Sequence, residues 1–110
     1  MTDPFLLHLG LARRAGHVIA GQDRLFDQIR QTACYLIVLS EDAGAAARRK
    51  VSGLAERRRI PLLTWYDRET LGEALGLGRC TVAGLTDKGF ASALIKKTPT
   101  GRTLTGVSEE

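Results

Sequence analysis

A chain of 110 residues with a formal net charge of +4, 44% apolar and 25% charged, has room for one domain around a single core. Aromatics make up only 5%, so Leu, Val, Ile and Ala must fill that core. No apolar run approaches the roughly 20 residues of a membrane-spanning helix, and the first residues lack the layout of a signal peptide, so the expected location is the cytoplasm.

Asp3-Pro4 is a helix-start signature, with Asp as N-cap and Pro at the first helical position. The helix runs to about Ala15, with Phe5, Leu6, Leu9 and Ala12 on its apolar face. Gly16 stops it. Arg13 and Arg14 fall in the last turn, where cations oppose the negative helix end. Gly16 and Gly21 bracket a short strand, His17–Ala20. Leu25, Phe26 and Ile29 then recur at helical spacing up to about Thr32. Gly21 therefore sits where a strand becomes a helix. It is either a plain tight turn or a place where bare backbone N–H groups meet a phosphate or base edge.

Cys34–Ser40 is a nearly continuous apolar run, the pattern of a strand covered on both faces. Asp42 is expected to cap a helix from Ala43 to Arg59, with Ala47, Val51, Leu54 and Ala55 inward. Its two basic groups, Arg48–Lys50 and Arg57–Arg59, point in too many directions for one patch and read as solvated surface. Ile60-Pro61 ends the helix. Leu62–Tyr66 forms the next strand, and Asp67 caps a short helix, Arg68–Leu75. The loop Leu77–Arg79 leads to a strand, Cys80–Leu85, in which Gly84 signals close backbone packing. Asp87 caps a last helix to Lys97. From residue 98 to 110 the composition turns polar, and a mobile tail is expected. The alternation α-β-α-β-α-β-α-β-α predicts an α/β fold with a four-stranded sheet and helices on both faces, one domain over residues 1–97.

Catalytic patterns are missing. There is no phosphate-binding P-loop and no G-x-G-x-x-G, and neither Ser40 nor Ser52 lies in a nucleophile elbow. Capping accounts for the acidic pair Glu41-Asp42. Cys34 and Cys80 stand far apart and, with His8 and His17, show no metal-ligand rhythm, so both read as buried thiols in a reducing compartment. No enzyme, cofactor or metal site is expected. The positive charge leans toward a polyanionic partner, although it also serves solubility.

Several strings stand in a familiar order: LGLARRAGHVIAGQDRLFDQI, YLIVLSEDA, IPLL, LGEALG and VAGLTDKGFA. Together, over about residues 5 to 97, they resemble the kink-turn RNA-binding ribosomal protein superfamily, the group of archaeal ribosomal protein L7Ae, and within it the small bacterial ylxQ-type members. The resemblance implies a three-layer α-β-α sandwich with a mixed four-stranded sheet. It also implies that the start of the second helix enters the widened major groove of a kinked RNA and reads sheared G·A pairs there. An apolar loop before the last strand would pack on a flipped-out nucleotide.

Carried over by position, the helix-opening glycine is Gly21 and the reading residues are Gln22, Asp23 and Arg24. The family's lysine after the first glycine falls on His17, the apolar loop on Leu77–Arg79, and the loop after the last strand on Thr86–Gly89. The family's usual readers are an Asn-Glu pair and a Lys one turn further in. This chain has Asp23-Arg24 and Asp27 instead. Guanine offers only acceptors in the major groove, so Asp23 can accept only from an adenine or cytosine amino group. Asp27 repels phosphates, while Arg24 can fork onto guanine.

The resulting expectation is a monomeric, non-catalytic protein that binds structured RNA, with ribosomal RNA among the candidates and protein partners in a ribonucleoprotein. Arg14, Arg30, Arg79 and Lys88 would add basic contacts, and Leu77 would meet an unstacked base. The alternative is a protein-interaction module that keeps the fold but has lost specific RNA reading.

Overall fold

Asp3 opens the first helix as its sequence dictates. Its carboxylate accepts the N–H groups of Phe5 (2.8 Å) and Leu6 (3.3 Å), and Pro4 follows at the first helical position. The computed structural model describes residues 3–99 and the backbone of 104–105. Helix α1 (Pro4–Arg14) closes through Gly16, whose φ of 83° turns the chain back so that two of the helix's last carbonyls are satisfied. The Gly16 N–H meets the Arg13 carbonyl (3.0 Å) and the His17 N–H meets that of Ala12 (2.9 Å).

The chain continues through β1 (Val18–Ala20), α2 (Gln22–Gln28), β2 (Leu36–Leu39), α3 (Ala45–Arg58), β3 (Leu62–Thr64), α4 (Arg68–Ala74), β4 (Val82–Leu85) and α5 (Lys88–Lys96). The expected alternation is present. Asp67 caps α4 by accepting from the Thr70 N–H (2.6 Å), and Asp87 caps α5 through that of Phe90 (2.9 Å).

The strands are shorter than the sequence reading, β1 beginning at Val18, β2 spanning only Leu36–Leu39 and β4 beginning at Val82, and three further boundaries differ for a visible reason. α2 stops at Gln28 rather than near Thr32, because the N–H groups of Gln31 and Thr32 both turn back onto the Gln28 carbonyl (3.0 and 2.9 Å). β3 stops short of Tyr66, which has φ of 62° and turns the chain; its hydroxyl donates to the Asp3 carboxylate (2.8 Å). Asp42 does not cap α3. That helix starts two residues later than expected, behind Gly44, and the Asp42 carboxylate accepts from Arg68 instead.

The sheet order is β1-β4-β2-β3, with β2 and β3 parallel and the other pairs antiparallel, the mixed four-stranded arrangement expected. A two-residue β5 (Leu104–Thr105) adds to the outer side of β3. It lies in the stretch expected to be a mobile tail. Residues 100–103 and 106–110 of that stretch lie outside the described residues.

Two aliphatic cores flank the sheet. Phe5, Leu9, Leu71 and Leu94 of α1, α4 and α5 pack on Leu36, Val38, Leu63 and Leu85. Leu25, Val51 and Leu54 of α2 and α3 pack on Ile37, Leu39 and Val82 from the other side. β2 is buried at every position because successive side chains enter opposite cores. Gly84 lets α2 come close: a methyl there would lie 2.7 Å from Leu25 Cδ1 and 3.0 Å from Cys34 Sγ. Leu25 is fully buried in that dip, which contributes on the order of 2 kcal/mol.

This topology gives the sheet two unlike ends. At one, the last residues of β1, β2 and β3 meet the first of β4. At the other, the starts of β1, β2 and β3 meet the end of β4.

Candidate nucleic-acid interface

Gly21 stands at the first of these ends. Its φ of 103° lies outside the range of ordinary side-chain-bearing residues, so the turn from β1 into α2 requires glycine. Its N–H donates to the Val82 carbonyl (2.9 Å), which fixes the turn to β4, and no side chain caps α2.

Beside Gly21 lies a concavity of about 370 Å³ whose walls include Gln22, Gly44, Arg68, Leu77 and Arg79. Thus the start of α2 and the loop Leu77–Arg79, 55 residues and more apart in sequence, face one hollow. The loop is held by close backbone contact. The Leu77 N–H donates to the Gly72 carbonyl (2.7 Å), and Gly76 makes the bend with φ of 74°. Leu77 is half-buried and Arg79 exposed.

Asp23 and Arg24 are exposed on the first turn of α2, and Asp27 is exposed one turn on. Asp23 has a structural reason to be there, since a carboxylate complements the positive start of a helix.

Other residues selected from sequence fall elsewhere. The Thr86 N–H donates to the His17 carbonyl (2.9 Å), so His17 and Lys88 lie at the opposite end of the β1–β4 ladder, with His17 roughly 13 Å along the strand from Gly21. The His17 ring instead neighbours Phe90 (centroids 5.8 Å). Arg14 lines a separate hollow of about 380 Å³ between α1 and α4, with Gly10 and Glu73. Arg30 follows the far end of α2, on the order of 12 Å from its start.

Arg68 is the residue that sequence reasoning missed. Its Nε lies 3.2 Å from Asp42 Oδ2, its Nη2 donates to the Asp42 carbonyl (2.7 Å) and its backbone N–H to Oδ1 (3.1 Å). Nothing local could reveal this pair. Asp42 follows β2 and Arg68 follows β3, so only the parallel pairing of those strands brings them together. Desolvation disfavours the ionised Asp42, but the Ser40 hydroxyl and Arg68 outweigh it and hold the carboxyl below its usual range. The fully buried Ser40 hydroxyl makes no hydrogen bond of standard geometry, yet lies near enough to Asp42 to act on its charge. Arg48 is committed to backbone, donating to the carbonyls of Ala43 (3.2 Å) and Glu41.

Of the two thiols expected to be buried, Cys80 is and Cys34 is half-buried beside Gly84. Burial pushes Cys34 and Cys80 up from the ordinary thiol value, against weaker opposition from backbone groups such as those of Leu36 and Val82. Each therefore stays protonated and unreactive near neutrality.

The chain is similar to the "RNA-binding protein YlxQ" of Bacillus subtilis strain 168, at 36% identity over 87 residues, covering 79% of this chain and 87% of the relative. A protein of the same name from Enterococcus faecium is 28% identical over 83 residues, covering 76% of this chain and 80% of the relative. Among solved structures, a protein of unknown function from Bacillus halodurans superposes with a TM-score of 0.82 at 29% identity, covering 87% of this chain and 97% of that one. The Giardia lamblia 15.5kD RNA-binding protein shares the fold, with a TM-score of 0.72 at 14% identity over 84% of this chain and 82% of its own. The model of one family spans residues 6–95, from α1 through α5 and including both the Gly21 turn and the Leu77–Arg79 loop. The chain belongs to the ribosomal protein L7Ae/L30e/S12e/Gadd45 family.

Proposed function

We propose that this protein binds structured RNA without catalysing a reaction, and that it does so at the concave end of the sheet. The observation that carries the reading is the shared hollow: Gly21 and Gln22 on one wall, Leu77 and Arg79 on another. The first turn of α2 behind Gly21, with no side-chain cap over its backbone, allows close approach to a base edge. Leu77 offers an apolar surface to an unstacked base, and Arg79 a cation to the phosphates around it. The YlxQ relatives, named as RNA-binding proteins, support the same class of ligand.

An intact A-form duplex would not admit α2, because its major groove is too narrow for side chains. The RNA must therefore be kinked or bulged. A kink-turn is the element the family resemblance favours, and ribosomal RNA in the cytoplasm is the first source to examine. The test is a titration of kink-turn RNA against a straight duplex of equal length at one physiological salt concentration. The kink-turn should bind more tightly. Equal weak affinity for both would remove the shape-specific reading.

The exposed carboxylates Asp23 and Asp27 favour a second reading, an assembly module that retains the fold and binds protein. Pull-downs with and without nuclease separate the two, because partners that survive nuclease treatment support the module.

A further inference from the structure

The other end of the sheet carries its own cations. Backbone pairing sets its layout. The Thr86 N–H reaches the His17 carbonyl (2.9 Å), the Tyr35 N–H reaches that of Leu85 (2.8 Å), and the Ile37 N–H reaches that of Pro61 (2.9 Å). Extending the strand register by one or two residues places Thr86 and Ile60 on either side of Tyr35, each about 4.8 Å away. Tyr35 is 38% exposed, unusual for an aromatic in a chain with few.

Arginine and lysine lie on the elements that reach this end of the sheet. Arg58 continues the buried stripe Val51, Leu54, Ala55 at helical spacing, so it leaves α3 on the sheet side, just past the end of the core. Arg59 follows in a left-handed conformation (φ 56°), and Lys88 opens α5 beyond Thr86. All three are exposed, and among the described residues none forms an ion pair. Two acids sit at the same end and partly offset them: Asp87, whose carboxylate caps α5 through the Phe90 N–H, and the exposed Glu56. Arg57 does not join the group, because its Nη1 lies back over Gly53 of α3, 3.1 Å from where a methyl there would sit.

We propose that this end is a second RNA surface, where Arg58, Arg59 and Lys88 hold the phosphates of a single-stranded segment and Tyr35 stacks on one of its bases. Charge alone would suit any polyanion. An exposed ring at the same end of the sheet as guanidinium groups suits a nucleotide, which presents a flat base and a phosphate together. A membrane surface would call for apolar side chains to insert, and apart from Tyr35 this row presents His17, Thr86 and the buried Ile60. The strands separate this surface from the concave end, so the protein can hold two RNA segments at once, at opposite ends of its sheet.

The experiment is fluorescence anisotropy with a labelled single-stranded oligouridylate and the full chain, at several salt concentrations. The triple variant Arg58→Gln, Arg59→Gly, Lys88→Gln changes only exposed positions, and glycine suits the left-handed site. It should bind at least fivefold more weakly, and its salt dependence should flatten by about 0.7 per cation removed. Arg49→Gln, exposed on α3 and outside both surfaces, should leave this binding within twofold. Tyr35→Phe should retain affinity and Tyr35→Leu should lose it several-fold, which keeps the test open should the triple variant fold poorly. The proposal is overturned by any of three results: oligouridylate binding unchanged in both the triple variant and Tyr35→Leu, a loss that follows Arg49→Gln instead, or equal affinity for poly-glutamate, which would mark a general acidic-partner surface. Discrimination of kink-turn from duplex, read separately, reports only on the concave end.

Discussion

A methyl group on Gly72 would stand 2.6 Å from Arg79 Cα and 2.7 Å from the Arg79 nitrogen, so α4 and the loop it feeds meet backbone to backbone. Alanine in a helix interior ordinarily gains up to about 1 kcal/mol over glycine. Here the opposing atoms are main chain and cannot swing aside. Gly72→Ala should therefore lower stability by about 1–3 kcal/mol in urea denaturation and weaken structured-RNA binding by displacing Leu77 and Arg79. Gly78→Ala, six residues on, meets open space and should change neither.

A second tight contact seats α2. Gly84→Ala drives a methyl toward Leu25, while Leu25→Ala opens a cavity expected to cost about 2–5 kcal/mol. The two changes act on the same volume. The double variant should be more stable than the sum of the single losses predicts, as a double-mutant cycle on urea midpoints would record. Strict additivity would mean that α2 does not rest on Gly84 in solution.

Asp23 is exposed where the RNA would approach. Removing its charge should relieve repulsion from phosphates, and an amide can both donate to and accept from base edges. Asp23→Asn should strengthen kink-turn binding several-fold, with little change in stability beyond the few tenths of a kcal/mol that a helix-start carboxylate contributes. Weaker or unchanged binding would place Asp23 away from the RNA.

The pair Asp42–Arg68 makes a pH-dependent contribution whose sign follows from the lowered carboxyl. A folded-state value below the unfolded one stabilises the protein above the unfolded value, and that stabilisation fades as pH falls through the folded value. Asp42→Asn should unfold at lower urea than the parent at about pH 7, and the gap should close in acid as the Asp42 carboxyl protonates in the folded protein. The pair is largely open to water, so the gap should be small and shrink further in high salt.

Much of the fold is readable in local chemistry. Asp3, Asp67 and Asp87 announce helix starts because their carboxylates bond to N–H groups two or three residues on. Gly16 announces a helix end, and the apolar run of β2 announces a doubly covered strand. What failed to read is what depends on neighbours distant in sequence. Asp42 occupies a plausible cap position, but a partner 26 residues away takes it. Tyr66 sits in a good strand sequence, but its hydroxyl bonds to Asp3 and its backbone turns. The site shows the same limit. Sequence order puts His17 and Gly21 together, yet the strand between them carries each to a different end of the sheet, whereas Gly21 and Leu77, far apart in the chain, face one hollow.

Trp65 is the chain's single tryptophan. Its ring stacks on Tyr66 (4.1 Å) and meets Phe5 of α1 edge-on (5.0 Å). An indole held this way carries an intrinsic optical signature of α1 seated on β3. Emission from that one fluorophore can follow the unfolding of every variant above without a label, on the same sample used for RNA titration.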